Sequence, residues 1–498
     1  MQVALAYTQP TSVVTSLTGS ALDFATNLRR PPVAFRGRVK EPVLLRQLLI
    51  ALHEVVLTDY SEASDRWFWL LDPVITVHHD ELFFEAFSND ESSYARLSAP
   101  MAAFEPEDEP SYGTTNIDFT WALRDALQRM RSSRRTEFTV GAAGFGVTTA
   151  GPSAQAHWER KVDLPESWVK GFLQVQGALA MRPFLFDVRP VDLLTAIAFW
   201  SDNKPPRPPH GLRYELAPGE PIRLAVEPWD ERFTLKGTRY DGYPRSVRVW
   251  GRKRLELLRG VLPYAERVTV GLLGRGLPHI YICHCGVYRF TLVLSGWTKN
   301  DWAKGSAFDE LAPRTAIDSE RVANVYANLH QRLAAPVAGI AAETALAAAE
   351  VQQALFELCR GGRAMIDPVS GLYRLRALFA EPIDVGTLFA PDGRQEIAEQ
   401  LLQHGRVRLR SVVPPEQRDD GRRETRVVAE VDDEQVYEVT VSVDLDGRLR
   451  FGRCGCAFFQ NNLLSRGPCE HILAARLLLD QPTAGEAAVL QMDEDRFR

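Results

Sequence analysis

Four residues near the C-terminus, Cys454, Cys456, Cys469 and His471, form the pattern C-x-C-x12-C-x-H. Three thiolates and one imidazole are a donor set that suits tetrahedral zinc. Because protein atoms fill all four positions, none stays open for water or substrate, and the pattern predicts a structural ion, not a catalytic one. Ordinary buried cysteines are the alternative. That alternative does not explain why three of the six cysteines stand at ligand spacing beside a histidine.

The residues around the pattern predict a frame for it. Tyr437–Asp444 and Arg448–Phe451 read as a hairpin that turns at Asp446–Gly447 and delivers the first two cysteines. The second ligand pair then opens a helix over His471–Leu479. This arrangement resembles the SWIM zinc finger over residues 437–480. The resemblance implies one structural Zn²⁺ held by the four ligands.

Composition limits what the rest of the chain can be. With 498 residues, 45% hydrophobic and 24% charged, the chain is long enough for several cored domains. A net charge of -6 gives no global attraction to nucleic acid, so any such binding needs a local patch. Residues 1–16 lack a basic segment followed by an apolar one, and no run of about 18 apolar residues occurs. We therefore expect a cytoplasmic protein without a membrane partner.

An internal repeat occupies the N-terminal half. Thr139–Gly146 and Thr269–Gly276 share the pattern T-V-G-x-x-G-x-G. A helical pattern precedes each copy, and a Trp-x-Lys-Gly sequence follows each, beginning at Trp168 and at Trp302. The conserved order of these landmarks predicts two α+β units of about a hundred residues that pack as a pseudo-symmetric pair. The predicted boundaries are 1–172, with an N-terminal helical segment, and 173–313.

A third module is predicted over residues 314–385. Two helical patterns, Pro336–Leu346 and Ala347–Arg360, precede two short strands, which resembles a winged helix-turn-helix. The second helix could read DNA, but it carries Glu350, Gln352, Gln353 and Glu357 against a single Arg360, whereas phosphate contacts come mostly from Lys and Arg. A protein-docking module is therefore favoured. The arginines of the predicted wing keep the DNA hypothesis open.

No catalytic signature is found. The chain lacks G-x-x-x-x-G-K-[ST], H-E-x-x-H and G-x-S-x-G, the usual marks of nucleotide hydrolysis, zinc peptidases and serine hydrolases. His78–Glu81 is a dense cluster of acid and base groups outside the finger, and its position predicts a polar hairpin turn. We therefore expect a protein that is not an enzyme.

The whole chain reads as an α+β multidomain protein: duplicated α+β units, a winged-helix-like module and a C-terminal region, 386–498, with the finger. With the segment Phe290–Trp302 upstream, it resembles the bacterial SWIM zinc finger proteins associated with MoxR-type AAA+ ATPases and von Willebrand A proteins. The resemblance implies a non-enzymatic recognition or adaptor subunit of such a ternary system. These two proteins are its expected partners.

The alternative is a nucleic-acid-binding regulator that uses the winged helix and the finger. Weak DNA or RNA binding would then rest on arginines that we predict as contacts: Arg406, Arg408, Arg410, Arg453, Arg466, Arg374 and Arg376. The first three alternate along a predicted strand and so share a face. Against this hypothesis, Glu470 stands between the last two zinc ligands, where many SWIM fingers carry a basic residue.

Overall fold

The structure is a computed structural model of the 498-residue chain. It describes residues 12–16, 19–23, 33–59, 73–150, 155–160, 164–203, 210–274, 277–295, 302, 318–376, 378, 393–417, 423–444, 449–462 and 468–480. None of the helices in these ranges is long and apolar enough to cross a membrane.

The first unit combines helices with short antiparallel strands. Its elements are β1 (Ser12–Ser16), β2 (Gly19–Asp23), β3 (Ala34–Val39), α1 (Pro42–Leu57), β4 (Val74–Val77), β5 (Glu81–Phe87), β6 (Ser93–Pro100), β7 (Phe104–Pro106), β8 (Gly113–Asn116), α2 (Trp121–Gln128), β9 (Thr136–Gly141), β10 (Gly144–Thr149), β11 (Gln155–Arg160), β12 (Leu164–Pro165) and α3 (Glu166–Ala180). A proline in the first turn pre-sets the backbone of α1. Its leucines and valines then form one buried face against β5 and β6.

From its first strand and helix onward, the second unit follows the order that begins at β3, with four strands in place of β4 to β8. Its elements are β13 (Phe184–Val188), α4 (Pro190–Asp202), β14 (Leu212–Leu216), β15 (Pro221–Val226), β16 (Glu231–Arg239), β17 (Arg245–Val249), the 3-10 helices Arg252–Gly260 and Leu262–Tyr264, β18 (Arg267–Leu272), β19 (His279–Cys285) and β20 (Tyr288–Leu294). Where the first unit has α2, the second has the pair of 3-10 helices.

The two T-V-G segments occupy corresponding places. Strand β9, which ends at Gly141, lies between β10 and β3, and β18, which contains Gly271, lies between β19 and β13. In both units the first neighbour is the next strand along the chain and the second opens the unit just before a helix. Trp168 and Trp302 are both buried, the first near the start of α3. These positions agree with the predicted duplication.

The unit boundaries differ from those predicted at 172/173. Helix α3 runs through that point without a break. Moreover, the units share one twelve-stranded sheet, in the order β17-β14-β15-β16-β13-β18-β19-β20-β6-β5-β4-β8. Strand β20 of the second unit pairs antiparallel with β6 of the first. A second sheet, β11-β10-β9-β3-β7, belongs to the first unit alone.

The third module has the predicted order of helices and hairpin. Its elements are α5 (Ser319–Arg332), β21 (Ala334–Pro336), α6 (Val337–Thr344), α7 (Ala348–Arg360), β22 (Ala364–Asp367) and β23 (Leu372–Leu375). The three strands pair in the order β21-β23-β22. The name winged helix remains our interpretation of this arrangement. From Val351 to Arg360 no residue of α7 is exposed, because this helix packs against α3 and α5.

Buried ion pairs join this module to both units. Four arginines and four carboxylates take part: Arg96, Arg289, Arg374, Arg376, Asp80, Glu81, Glu85 and Asp367. The Arg376 guanidinium lies 2.8 Å from the Glu85 carboxylate, with both side chains at most 1% exposed. Arg289 of β20 contacts both Glu81 of β5 and Asp367 of the hairpin. Burial opposes the charge of Asp367, but Arg96 and Arg289 lower its pKa to about 2.

This network corrects the assignment of two predicted nucleic-acid contacts. Arg374 is 4% exposed and lies 2.7 Å from Asp80, and Arg376 is 2% exposed. Both guanidinium groups are used inside the protein, so they offer no charge to a phosphate backbone. The predicted polar turn at His78–Glu81 supplies Asp80 and Glu81, which form ion pairs with Arg374 in this network.

The C-terminal region is one sheet covered by helices. Its elements are α8 (Arg394–Gln403), β24 (Val407–Gln417), β25 (Arg423–Asp432), β26 (Val436–Asp444), β27 (Leu449–Arg453), α9 (Ala457–Asn462), α10 (Glu470–Leu477) and a 3-10 turn at Leu478–Asp480. The strands pair antiparallel in chain order. Helix α10 packs against α8, β25 and β26 and buries Ile472 and Leu473 completely. The sequence predicted the last hairpin and this helix but not β24 and β25 as their partners.

Candidate metal centre

The four predicted ligands are delivered by three elements that meet at one end of the C-terminal sheet. Strand β27 ends at Arg453, one residue before Cys454, and Cys456 immediately precedes α9. Cys469 is the N-cap residue of α10, and His471 lies in the first turn of that helix. The short spacing within each pair therefore follows from a strand end and a helix start.

The ligand atoms form a compact and closed cluster. One donor atom from each of the four residues lies within 4.8 Å of the others, and each residue is at most 4% exposed. The Cys454 Sγ and His471 Nδ1 atoms are 3.7 Å apart. Zinc bonds of about 2.3 Å to sulfur and 2.1 Å to nitrogen would place these atoms about 3.6 Å apart in a regular tetrahedron. The donor set and this distance therefore fit a zinc ion.

The surrounding backbone favours thiolates. The amide of Cys456 donates to Cys454 Sγ at 3.4 Å, and the amide of Phe459 donates to Cys456 Sγ, also at 3.4 Å. Cys456 and Cys469 stand at the N-termini of α9 and α10, where the helix dipole stabilises negative charge. Such N–H···S contacts and helix ends lower the cost of holding several thiolates together.

Contacts within the cluster shift the pKa values of its thiols and its imidazole. Hydrogen bonds from Cys454 and Cys469 lower the pKa of Cys456, and hydrogen bonds from Cys454 and Cys456 raise the pKa of Cys469. Burial opposes a charged imidazole, yet hydrogen bonds to the two nearby cysteines raise the pKa of His471 to about 10. The cluster thus attracts positive charge, which is the electrostatic character that a divalent cation requires.

Two further residues orient the histidine, and the sequence did not identify them. The His471 Nε2 atom lies 3.2 Å from Asp433 Oδ2, in the turn between β25 and β26. The ring of Tyr437 packs on the imidazole with its centroid 4.4 Å away. A carboxylate on the second ring nitrogen fixes the orientation of the histidine and makes it a better metal ligand. Asp433 is 38 residues from His471, so no local pattern signals this contact.

Removing this carboxylate should weaken zinc binding without unfolding the site. We expect Asp433→Ala to lower zinc affinity by about 10- to 100-fold, the usual effect of losing such a partner. Competition with a chromophoric chelator measures the change. Glu434→Ala, at the exposed next position of the same turn, is the matched control and should keep the original affinity. Equal affinities for the two variants would contradict the orienting role.

The predicted nucleic-acid contacts are dispersed. Arg406, Arg408 and Arg453 are exposed. Arg410 is the residue at which a β-bulge shifts the register of β24, and it forms an ion pair with Glu430. The bulge breaks the strict alternation on which the shared arginine face was predicted. Arg466 lies outside the described residues.

Comparison with known proteins identifies the metal centre as part of a zinc finger module. Residues 437–477 match the family described as SWIM zinc finger. This match agrees with the predicted finger and with a zinc-binding role for its Cys and His residues. It covers β26 to α10 and leaves the rest of the chain unassigned. No curated protein matches the chain.

Solved structures show a distant similarity to about half of this chain. Proliferating Cellular Nuclear Antigen from Entamoeba histolytica is 13% identical, with a TM-score of 0.39 over 53% of this chain and 98% of that one. The PCNA2-PCNA3 complex from Sulfolobus tokodaii is 10% identical, with a TM-score of 0.39 over 52% of this chain and 98% of that one. At such low TM-scores the similarity says nothing about activity or partners.

Proposed function

We propose that this chain is a non-enzymatic, zinc-binding recognition or adaptor protein. The observation that carries the proposal is the buried cluster of Cys454, Cys456, Cys469 and His471, which supplies all four ligands of a tetrahedral ion. A metal with four protein ligands has no position for water or substrate, so its role is to hold β27, α9 and α10 together. The finger then presents a fixed surface to a partner.

The sheet beside the metal centre offers a surface suited to a protein partner. Strand β24 forms one edge of the four-stranded sheet. It exposes Leu409, Val412 and Val413, each at about two fifths of its surface. An edge strand with exposed apolar side chains can accept an added strand from another protein through main-chain hydrogen bonds. We propose β24 as the docking strand.

We further propose a MoxR-type AAA+ ATPase, acting with a von Willebrand A protein in the cytoplasm, as the partner. Support comes from the resemblance carried by the finger and by the segment upstream of the third module. The chain has no phosphate-binding signature of its own, so an energy-consuming process would need an ATPase in the complex. The adaptor would contact the target while the ATPase supplies the energy.

The third module supports a protein-binding role over a DNA-binding one. A recognition helix must place an exposed face in the major groove. The helix α7 has no exposed residue from Val351 onward, and Gln352 is in contact with Arg182. Arg374 and Arg376 of the predicted wing are buried in ion pairs. Helix α7 therefore offers little free surface to a DNA groove in this arrangement.

A pull-down from native cells with a matched pair of variants tests this proposal. The wild-type chain should co-purify a MoxR-type ATPase, identified by mass spectrometry. Val412→Asp should reduce its recovery at least tenfold, because a charge on the docking strand opposes burial against a partner. Val287→Asp, an exposed valine in the β19–β20 turn, should leave recovery unchanged. Equal recovery with both variants would contradict docking at β24, and absence of any ATPase would contradict the proposed partner.

A weaker second candidate is nucleic-acid binding by the finger. The exposed Arg406, Arg408 and Arg453 favour it, and the net charge of -6 opposes it. Three contacts to phosphate predict dissociation constants no better than about 10⁻⁴ to 10⁻⁶ M at physiological salt, with strong salt dependence. Titration with duplex and single-stranded DNA at two salt concentrations measures this. Nanomolar, sequence-selective binding without a co-purifying protein would replace the adaptor proposal with the regulator.

A further inference from the structure

The duplicated units are joined by one strand pair. Residues 93–98 of β6 pair antiparallel with residues 289–294 of β20, which continues the sheet from the first unit into the second. Both strands are buried almost throughout. The chain therefore already contains one complete junction between the edge of one unit and the edge of the other.

In the described part of the chain, the equivalents of these two strands are unpaired on one side, one along its whole length and the other over part of it. By position in the repeat, β16 of the second unit corresponds to β6, and β11 of the first corresponds to β20. In the part of the chain that the structure describes, β11 ends the five-stranded sheet and pairs only with β10. Residues 231–235 of β16 pair with β15 on one side. On the other side only the end of the strand is used: Gly237 pairs with Val188 of β13, and the amide and carbonyl of Lys236 bond to Asp192 and Arg189.

The side chains at these edges are exposed where their counterparts are buried. Glu231, Arg232, Thr234 and Lys236 of β16 are all exposed. Trp158 of β11 is 44% exposed. In the described part of the chain, β11 and residues 231–235 of β16 therefore lack the partner strand that β6 and β20 provide for each other.

The strand registers show what Trp158 would meet. Gly144 lies opposite both Gly141 and Arg160, and in the second unit Ile280 lies opposite both Gly271 and Val293. Because Gly141 and Gly271 correspond, β11 superposes on β20 with Trp158 at the place of Thr291. Thr291 faces Arg96 of β6 across the existing junction. On the unpaired side of β16, Arg232 and Thr234 are exposed, and Arg232 forms ion pairs with Glu215 and Asp230 at the surface. An arginine over an indole ring is a favourable contact.

We propose that β11 of one copy of this chain pairs antiparallel with β16 of a second copy, repeating between chains the junction that β20 and β6 form within one. Because the two edges are different surfaces, the contact is head-to-tail, and successive copies form a closed ring or an open filament. Backbone hydrogen bonds along the two edges supply the register, and Trp158 gains cover from the partner strand.

Sedimentation of the full, zinc-loaded chain over a range of concentrations tests this directly. The wild type should form species heavier than one chain of 55.8 kDa as concentration rises. Thr234→Pro should remain a single chain, because proline removes an edge donor. The amide of Lys236, two residues on, faces Asp192 and not β15, so alternation turns the Thr234 amide away from β15 as well. Trp158→Asp should also remain a single chain.

Mixing the two variants separates a head-to-tail contact from every symmetric one. Thr234→Pro retains an intact β11, and Trp158→Asp retains an intact β16, so an equimolar mixture should form a dimer of one copy of each and nothing larger. Tyr243→Asp, an exposed aromatic outside both edges, should assemble like the wild type. A wild type that stays a single chain at all concentrations, or a mixture that does not form the dimer although both variants show the wild-type thermal transition, would overturn the proposal.

Discussion

Replacing Cys456 with serine is expected to unfold the finger while the duplicated units stay folded. The ligand cluster is the point at which β27, α9 and α10 meet, so losing one sulfur removes the constraint that holds three elements together. Structural zinc contributes about 10–16 kcal/mol to the folding of isolated zinc fingers. Hydrogen exchange should therefore show loss of protection over 449–480, with β5 and β6 unchanged.

The matched control for this experiment is another buried cysteine. Cys359 of α7 is fully buried and lies outside the metal cluster. Cys359→Ser should retain the zinc and the protection of the finger, and any destabilisation should be confined to the third module. If Cys456→Ser kept its zinc and its exchange protection, the structural role of the ion would be wrong.

Removing Arg376 should destabilise the junction between the third module and the first unit. Arg376→Met leaves the carboxylate of Glu85, which is fully buried, without its cation. Breaking one partner of a buried ion pair costs about 3–5 kcal/mol, because the remaining charge is uncompensated. We expect a lower thermal midpoint and faster hydrogen exchange in β22 and β23.

Two comparisons isolate the ionic contribution. The double variant Arg376→Met, Glu85→Gln should recover a large part of the lost stability, because no uncompensated charge remains. Arg410→Met removes an exposed ion pair with Glu430 and should cost little. If Arg376→Met and Arg410→Met lowered the midpoint equally, the network would not hold the modules together.

Acid should weaken the same junction. The pKa of Asp367 is about 2 in the folded chain, below its ordinary value of 3.8, because of the arginines around it. Its ionised form therefore stabilises the folded state fully above that ordinary value, and this contribution is lost as the pH falls from about 4 toward 2. Hydrogen-exchange protection of β22 and β23 should decline over this pH range before the two duplicated units unfold.

The elements that the sequence revealed are those set by local patterns. Cysteine spacing identified the ligands, and a repeated glycine pattern identified the duplication, since tight turns and strand ends need particular residues at fixed offsets. The strand and helix that open each unit, β3 with α1 and β13 with α4, were missed as part of the repeat because their sequences share no motif.

What the sequence could not reveal depends on distant contacts. Arg374 and Arg376 read as a basic wing because their carboxylate partners are about 290 residues away in the chain. The contact of Asp433 with His471 could not be predicted for the same reason, because it depends on the turn that brings the two residues together. Helix α7 looked like a surface element because its glutamines are polar, yet Gln352 is buried against α3.

The most direct test of a zinc-organised C-terminal module is X-ray absorption at the zinc edge, with a metal count, on protein purified without added metal. One zinc per chain with three sulfur ligands near 2.3 Å and one nitrogen ligand near 2.1 Å is the expected result. Less than half a zinc per chain, or a shell dominated by oxygen, would contradict a closed site formed by Cys454, Cys456, Cys469 and His471.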